Sequence, residues 1–157
     1  MDNTYRLIVG AKGEALLKNC LFTKRFGENA SGILYALGGA GGGLALYMDK
    51  GQLVYQYNMM IIERYVARSS RKLPAGKRRI EVATQIAKPG GTAEVALTVD
   101  GVEVGRTTVK RTVSGAFTAS ESFDAGVDLG SPVSLDYFDR APFPFDGKID
   151  SVMVVLR

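Results

Sequence analysis

The sequence predicts an all-β chain, an antiparallel β-sandwich of jelly-roll type, on three observations. Apolar and polar residues alternate along most of its length. Turn residues recur at the intervals that short strands need. The only helix-like stretch, "GEALLKN", is too short to hold a helix by itself.

The alternation is clearest in "RRIEVATQI". There Ile80, Val82, Thr84 and Ile86 share one side, and Arg79, Glu81 and Gln85 share the other. In "EVALTVD", Val95, Leu97 and Val99 point one way and Glu94 and Thr98 the opposite way. "LALYM" and "QLVYQYN" read as similar half-buried strands, rich in the β-branched and aromatic residues that suit a pleated surface. Between them stands Asp49-Lys50-Gly51. Asp100-Gly101 divides "VALTV" from "VEVGRTTV", and Asp-Gly suits a two-residue hairpin turn whose central residues both need positive φ. Pro74-Ala75-Gly76 and Pro89-Gly90-Gly91 mark longer reversals, and Asp146-Gly147 precedes "KIDSVMVVL", the expected closing strand.

The glycine run Gly38–Gly43, "GGAGGG", raises the question of a phosphate loop. Gly38 and Gly43 have the spacing of such a loop, but Leu44 stands where its lysine must be. The dinucleotide pattern fails as well, because Leu44 and Leu46 occupy the positions of its last glycine. Both patterns require a following helix whose N-terminus faces the anion. "LALYM" follows instead, so the run is read as a connection between strands that either some other group approaches closely or whose tip is mobile.

With 157 residues, 46% of them hydrophobic and 23% charged, the chain has the size and composition of one globular domain. No apolar run approaches the roughly 18 residues of a membrane helix. The N-terminus lacks the apolar core of a secretory signal, so a complete chain of this sequence is expected in the cytoplasm. Histidine is absent, which removes imidazole-dependent triads and the commonest zinc ligand. Cys20 has no second thiol to pair with and reads as a small core residue.

The order of motifs resembles a known group. "ILYALGGAGGGLALYMDKGQLVYQYN", "IERYVARSSRKLPAGKRRIEV", "FDAGVDLGSPVSLDY" and "APFPFDGKIDSVMVVL" together resemble the C-terminal β-sandwich region of bacterial arylsulfatases, from about Leu17 to the end. More broadly, "LTVDGVEVG" and "FDGKIDSVMV" are similar to strand patterns of concanavalin A-like, laminin-G-like jelly rolls. The resemblance implies a non-catalytic accessory module with a sulfatase-like catalytic domain as partner. Sulfatase chemistry needs a Cys or Ser two residues before a Pro, and none of the five prolines here has one. Glucanases of the wider fold use carboxylates at Glu-x-Asp-x-Glu spacing. The seven glutamates here never fall two or four apart, so no enzyme is expected.

Three groups of residues are candidates for binding. Asp124, Asp128 and Asp136 lie in a Gly-rich segment and offer the hard oxygen ligands that calcium takes; the leading reading is that they only form turns. On that reading Tyr137, Phe138 and the "APFPF" segment pack the loop down. Arg64, Arg68 and Arg71 belong to a run of seven basic residues between Arg64 and Arg79. They could meet an anionic ligand such as a sulfated glycan, or form a solvated face; the absence of a stacking-aromatic motif argues against nucleic acid. Met59, Met60, Ile61 and Ile62 break the alternation. They are either covered on both sides, bent around an edge, or a contact surface for self-association or a catalytic partner.

Overall fold

The computed structural model describes residues 6–8, 16–18, 22–115, 117, 121 and 123–155. Cys20 and most of "GEALLKN" lie outside them. Leu16–Lys18, from that stretch, forms a strand and not a helix.

The described residues form twelve strands. In chain order they are Arg6–Ile8 (β1), Leu16–Lys18 (β2), Phe22–Phe26 (β3), Gly32–Gly39 (β4), Gly42–Asp49 (β5), Gln52–Met59 (β6), Glu63–Arg68 (β7), Gly76–Ile86 (β8), Ala93–Val99 (β9), Val102–Val109 (β10), Phe123–Ala125 (β11) and Met153–Val155 (β12). The expectation of an all-β chain is met. One sheet runs β1-β12-β2-β8-β9-β10, and β3 joins it beside β2 along the other half of β8. The second sheet runs β11-β4-β5-β6-β7. Every pairing is antiparallel except β1 with β12, which is parallel. The closing strand is shorter than "KIDSVMVVL" suggested, since the backbone joins the sheet only at Met153. No helix among the described residues is long and apolar enough to cross a membrane.

The facing sides of the two sheets share one core. Leu34, Leu46, Met48, Leu53 and Tyr55 of the five-stranded sheet meet Ile80, Val82, Val95, Leu97 and Val99 of the other. Each fully buried aliphatic side chain contributes about 1.5–3 kcal/mol relative to exposure. The strands β8 and β9 alternate as their sequences dictate: Ile80, Val82 and Thr84 are buried while Lys77, Arg79 and Gln85 are exposed.

In β5 and β6 the expected half-burial fails. Six consecutive residues are buried in each. The reason is a third layer. Residues 126–145 cross the outer face of the five-stranded sheet and bury Ile33, Ala36, Ala45, Tyr47 and Val54 under Val133, Tyr137 and Phe143. Sequence alternation reports polarity, and this outer face is apolar enough to need a cover of its own.

The cover includes a short 3-10 helix, Leu135–Arg140, that periodicity could not reveal in so few residues. Ser134 caps it by accepting a hydrogen bond from the Asp136 N–H, and Asp136 sits in its first turn. The Ser-Leu-Asp sequence is the signal that could have announced it.

Three hairpins carry two consecutive positive φ angles at their turns. Lys50 and Gly51 have φ of 49° and 88°, Asp100 and Gly101 have 50° and 83°, and Met60 and Ile61 have 52° and 69°. The first two pairs are legible as turns in the sequence. The third explains why "NMMIIERY" breaks its alternation: it is a tight turn, with the Ile62 N–H bonded to the Met59 carbonyl at 3.0 Å. Met59 packs against the core, while Met60, Ile61 and Ile62 are 48%, 64% and 71% exposed.

Candidate functional site

The covering segment carries a connected set of buried and surface polar contacts. At its centre Tyr137 is fully buried, edge-on to Tyr47 at 5.2 Å and stacked on Phe143 at 5.4 Å between ring centroids. The Tyr137 hydroxyl accepts from the Val133 N–H at 3.1 Å and donates to Asp128 Oδ2 at 2.7 Å. Tyr137 and Phe143 pack the loop down as the sequence suggested, whereas Phe138 is exposed.

Next to this lies a polar row on the sheet. Ser134 Oγ donates to Gln56 Oε1 at 2.6 Å, and the Tyr47 hydroxyl donates to Asp136 Oδ2 at 2.7 Å. Burial holds the Tyr47 hydroxyl far above the usual phenol range, so it stays a donor. Burial does the same to Tyr137, reinforced by the hydrogen bond to Asp128 and the charge of that carboxylate. The surface end of the row is an open depression of about 440 Å³ lined by Asp49, Lys50, Arg68, Asp136 and Arg140. Arg68 Nη2 lies 3.0 Å from Asp136 Oδ2, and its Nη1 lies 3.7 Å from Asp49 Oδ2. Arg140 donates to Asp49 Oδ1 at 3.0 Å and to the Asp136 carbonyl at 2.7 Å, with its guanidinium 4.3 Å from the Phe143 ring centroid.

The sequence candidates therefore separate. Asp124, Asp128 and Asp136 do not converge. Asp124 accepts from the Leu129 N–H at 2.9 Å, Asp128 from Tyr137, and Asp136 from Tyr47 and Arg68. Among the described residues no group of three or more acidic, Cys or His side chains is arranged to hold a metal ion. Of the basic candidates, Arg64 donates to the Val133 carbonyl at 2.9 Å and helps hold the cover down. Arg68 enters the depression, and Arg71 is exposed elsewhere. Most of the remaining basic run is also engaged, with Lys77 near Asp150, Arg78 on Asp100 and Arg79 on Glu81.

Sequence reasoning missed Asp49 and Arg140. Asp49 reads in the sequence only as a turn residue, although it lies two places from Tyr47 and so on the same face of β5. Arg140 falls four residues after Asp136, close enough to reach back in a single helical turn.

The glycine run forms the β4–β5 hairpin with Ala40-Gly41 as its two-residue loop. A Cβ on Gly39 would overlap the Glu121 carboxylate and Ser131 Oγ, which is the close approach that a glycine there permits. Asn58 ties this hairpin to the Met60–Ile62 tip. Its Nδ2 donates to the Ala40 carbonyl at 2.9 Å, and its Oδ1 accepts from the Ile61 N–H at 3.0 Å.

Asp128 gives a pH test of the cover. Burial raises its carboxyl above the ordinary range; the Tyr137 and Val133 hydrogen bonds oppose this, and the charges of Asp124 and Glu121 add to it. A carboxyl raised on folding contributes stability that is fully present below its unfolded pKa and is lost as pH rises through the folded one. Asp128→Asn removes that titration. The stability of Asp128→Asn minus that of the wild type should therefore grow with rising pH and then level off, whatever the constant offset. Urea titrations between about pH 4 and pH 8 measure it, and a pH-independent difference would contradict the burial of an ionisable Asp128.

No family model and no curated protein matches this chain.

Proposed function

We propose that this chain is a non-catalytic accessory module, a β-sandwich of the jelly-roll kind that docks on a protein partner through the β6–β7 tip. The observation that carries this reading is the tip itself. Three consecutive large apolar side chains stand exposed there, on a turn whose two central residues have positive φ. A β-branched residue such as Ile61 is a strong outlier in that conformation. Strained backbone of this kind clusters where function uses it. The resemblance to an arylsulfatase tail region supplies the partner class, a catalytic domain, and an isolated copy would satisfy the same surface by self-association.

The non-catalytic part of the reading is supported by the way the carboxylates are engaged. Asp49 and Asp136 are bridged by guanidinium groups, and Asp128 is buried under Tyr137. Asp49 and Asp136 line one open depression, but Arg68 contacts both carboxylates there and Arg140 holds Asp49 as well.

Light scattering tests the docking surface. The wild-type chain should be dimeric at micromolar concentration. Ile61→Gly with Ile62→Lys should be a folded monomer, since neither side chain is buried. Met59 is not the residue to change, because it packs against the core. A wild-type monomer at high micromolar concentration would overturn self-association through this tip.

A second reading is favoured by the depression at Asp49, Arg68, Asp136 and Arg140. Planar carboxylate and guanidinium groups held in fixed positions suit the paired hydroxyls of a glycan, and the two arginines would favour an anionic one. Binding of a sulfated oligosaccharide that is lost in Arg140→Ala would select this reading.

A further inference from the structure

The β6–β7 tip has an apolar recess beside it. At the end of the sandwich that carries the glycine hairpin, a space of about 190 Å³ opens to solvent. Half-buried Leu37, Ile86, Val113 and Phe117 and exposed Gly115 are the parts of its lining that solvent reaches. No charged residue lines it. Well-packed proteins leave few voids larger than a water molecule, and contiguous apolar surface left open marks a place that a second body covers.

Tip and recess are neighbours. Both border Gly42, where an added Cβ would stand 2.9 Å from Met60 Sδ and 3.3 Å from Phe117 Cδ1. The Phe117 ring in turn meets Tyr57 edge-on at 5.3 Å between centroids, on the strand that leads into the tip. Asn58 fixes the tip against the glycine hairpin, since its amide bonds both the Ala40 carbonyl and the Ile61 N–H. Ile62 is the most exposed of the three tip side chains, at 71%. A projection held in place before binding loses little freedom when it docks.

We infer that this chain pairs with a second copy of itself about a twofold axis, each copy placing Ile62 in the recess of the other. The inference rests on the docking reading of the tip and names what the tip enters. A second copy is the occupant because the projection and the recess stand side by side on one chain. In a twofold contact, residue i of one copy meets residue j of the other and j meets i. An adjacent projection and recess therefore satisfy each other twice, and the assembly closes. The size agrees, because an apolar cavity of about 150 Å³ takes up a benzene ring, which is larger than an isoleucine side chain. An aliphatic side chain also brings no polar group for the apolar walls to leave unpaired.

The experiment compares the wild type with Ile62→Glu, which alters the projection, and Val113→Lys, which alters the recess. Both positions reach solvent, so the new charge stays hydrated in the monomer. Burying one large aliphatic side chain is worth about tenfold or more in an equilibrium constant, and a twofold dimer makes the contact twice. Light scattering should therefore show each variant dimerising about a hundredfold more weakly than the wild type. Mixed in equal amounts, the two variants should form a heterodimer. One contact of Ile62 with an unaltered recess is then restored, and the other sets a glutamate against a lysine. Ile86→Lys should behave as Val113→Lys does, and it takes that variant's place if Val113→Lys unfolds. In a wild-type dimer of mixed isotope labelling, the Ile62 δ1 methyl should show intermolecular NOEs to the Val113 methyls. A wild-type monomer at high micromolar concentration would overturn self-association through the tip and this inference with it. A dimer weakened by Ile62→Glu but untouched by Val113→Lys and Ile86→Lys would overturn the inference alone. So would the absence of a heterodimer, or NOEs that join Ile62 only to the tip of the other copy.

Discussion

Tyr137→Ala is expected to lower the unfolding free energy by about 3–5 kcal/mol, the range for removing a buried aromatic side chain. The side chain is fully buried, although it belongs to a covering loop and not to a strand. Its ring fills the space between Tyr47 and Phe143, and its hydroxyl joins Asp128 to the Val133 N–H. Alanine would leave a cavity and two buried polar groups without that partner. Tyr137→Phe separates the two contributions. It keeps the ring and should cost about 1–3 kcal/mol for the lost pairing alone. Urea unfolding measures both. A Tyr137→Ala loss below about 1 kcal/mol would mean that the cover is a loose loop and contributes little to the domain's stability. The expectation is the opposite, because among the described residues Val133, Tyr137 and Phe143 of the cover are what Ala45, Tyr47 and Val54 pack under.

Met60→Asn with Ile61→Gly is expected to stabilise the chain by about 1–3 kcal/mol. The left-handed conformation crowds a β-carbon against the neighbouring carbonyl, at roughly 1–2 kcal/mol per residue. Glycine escapes this, and asparagine tolerates it. Two other hairpins place Lys50-Gly51 and Asp100-Gly101 at such paired positive φ angles, so within one chain these angles appear with suited and unsuited residues. Part of the gain is offset by the extra freedom of glycine in the unfolded state and by the loss of Met60, whose sulfur lies near Gly42. The check is the urea midpoint, which should rise with an unchanged slope. A fall in the midpoint would show that Met60 and Ile61 are kept for packing within the domain, and the docking reading would lose its main support. A rise together with loss of self-association would show stability given up for a contact surface.

The candidate depression is half legible in the sequence. Arg68 and Asp136 both stand out there, but as members of different groups: a basic run and an acidic triplet. They are 68 residues apart in the chain and 3.0 Å apart in space. Local pattern assigns a residue to its neighbours in sequence, and ion pairs across layers ignore that neighbourhood. The buried position of Thr84 is legible to a similar degree. Alternation places Thr84 on the inward face of β8, yet alternation cannot say that its hydroxyl finds no partner there.

By itself the sequence determined the all-β class and most of the turns, because both depend on interactions within a few residues. Alternating side chains choose a strand and its buried face. Asp-Gly and Lys-Gly pairs choose left-handed hairpin turns, and glycine at Gly39 leaves room that a Cβ would fill. The tertiary structure alone decided three things. It buried β5 and β6 on both faces under residues 126–145, which no period-two pattern can express, since each strand senses only its own polarity. Pairing β6 with β7 forced Met60-Ile61 into a turn that their own preferences oppose. It also left the Thr84 hydroxyl buried without a partner, because what faces a side chain between the sheets is set by both sheets and not by either strand.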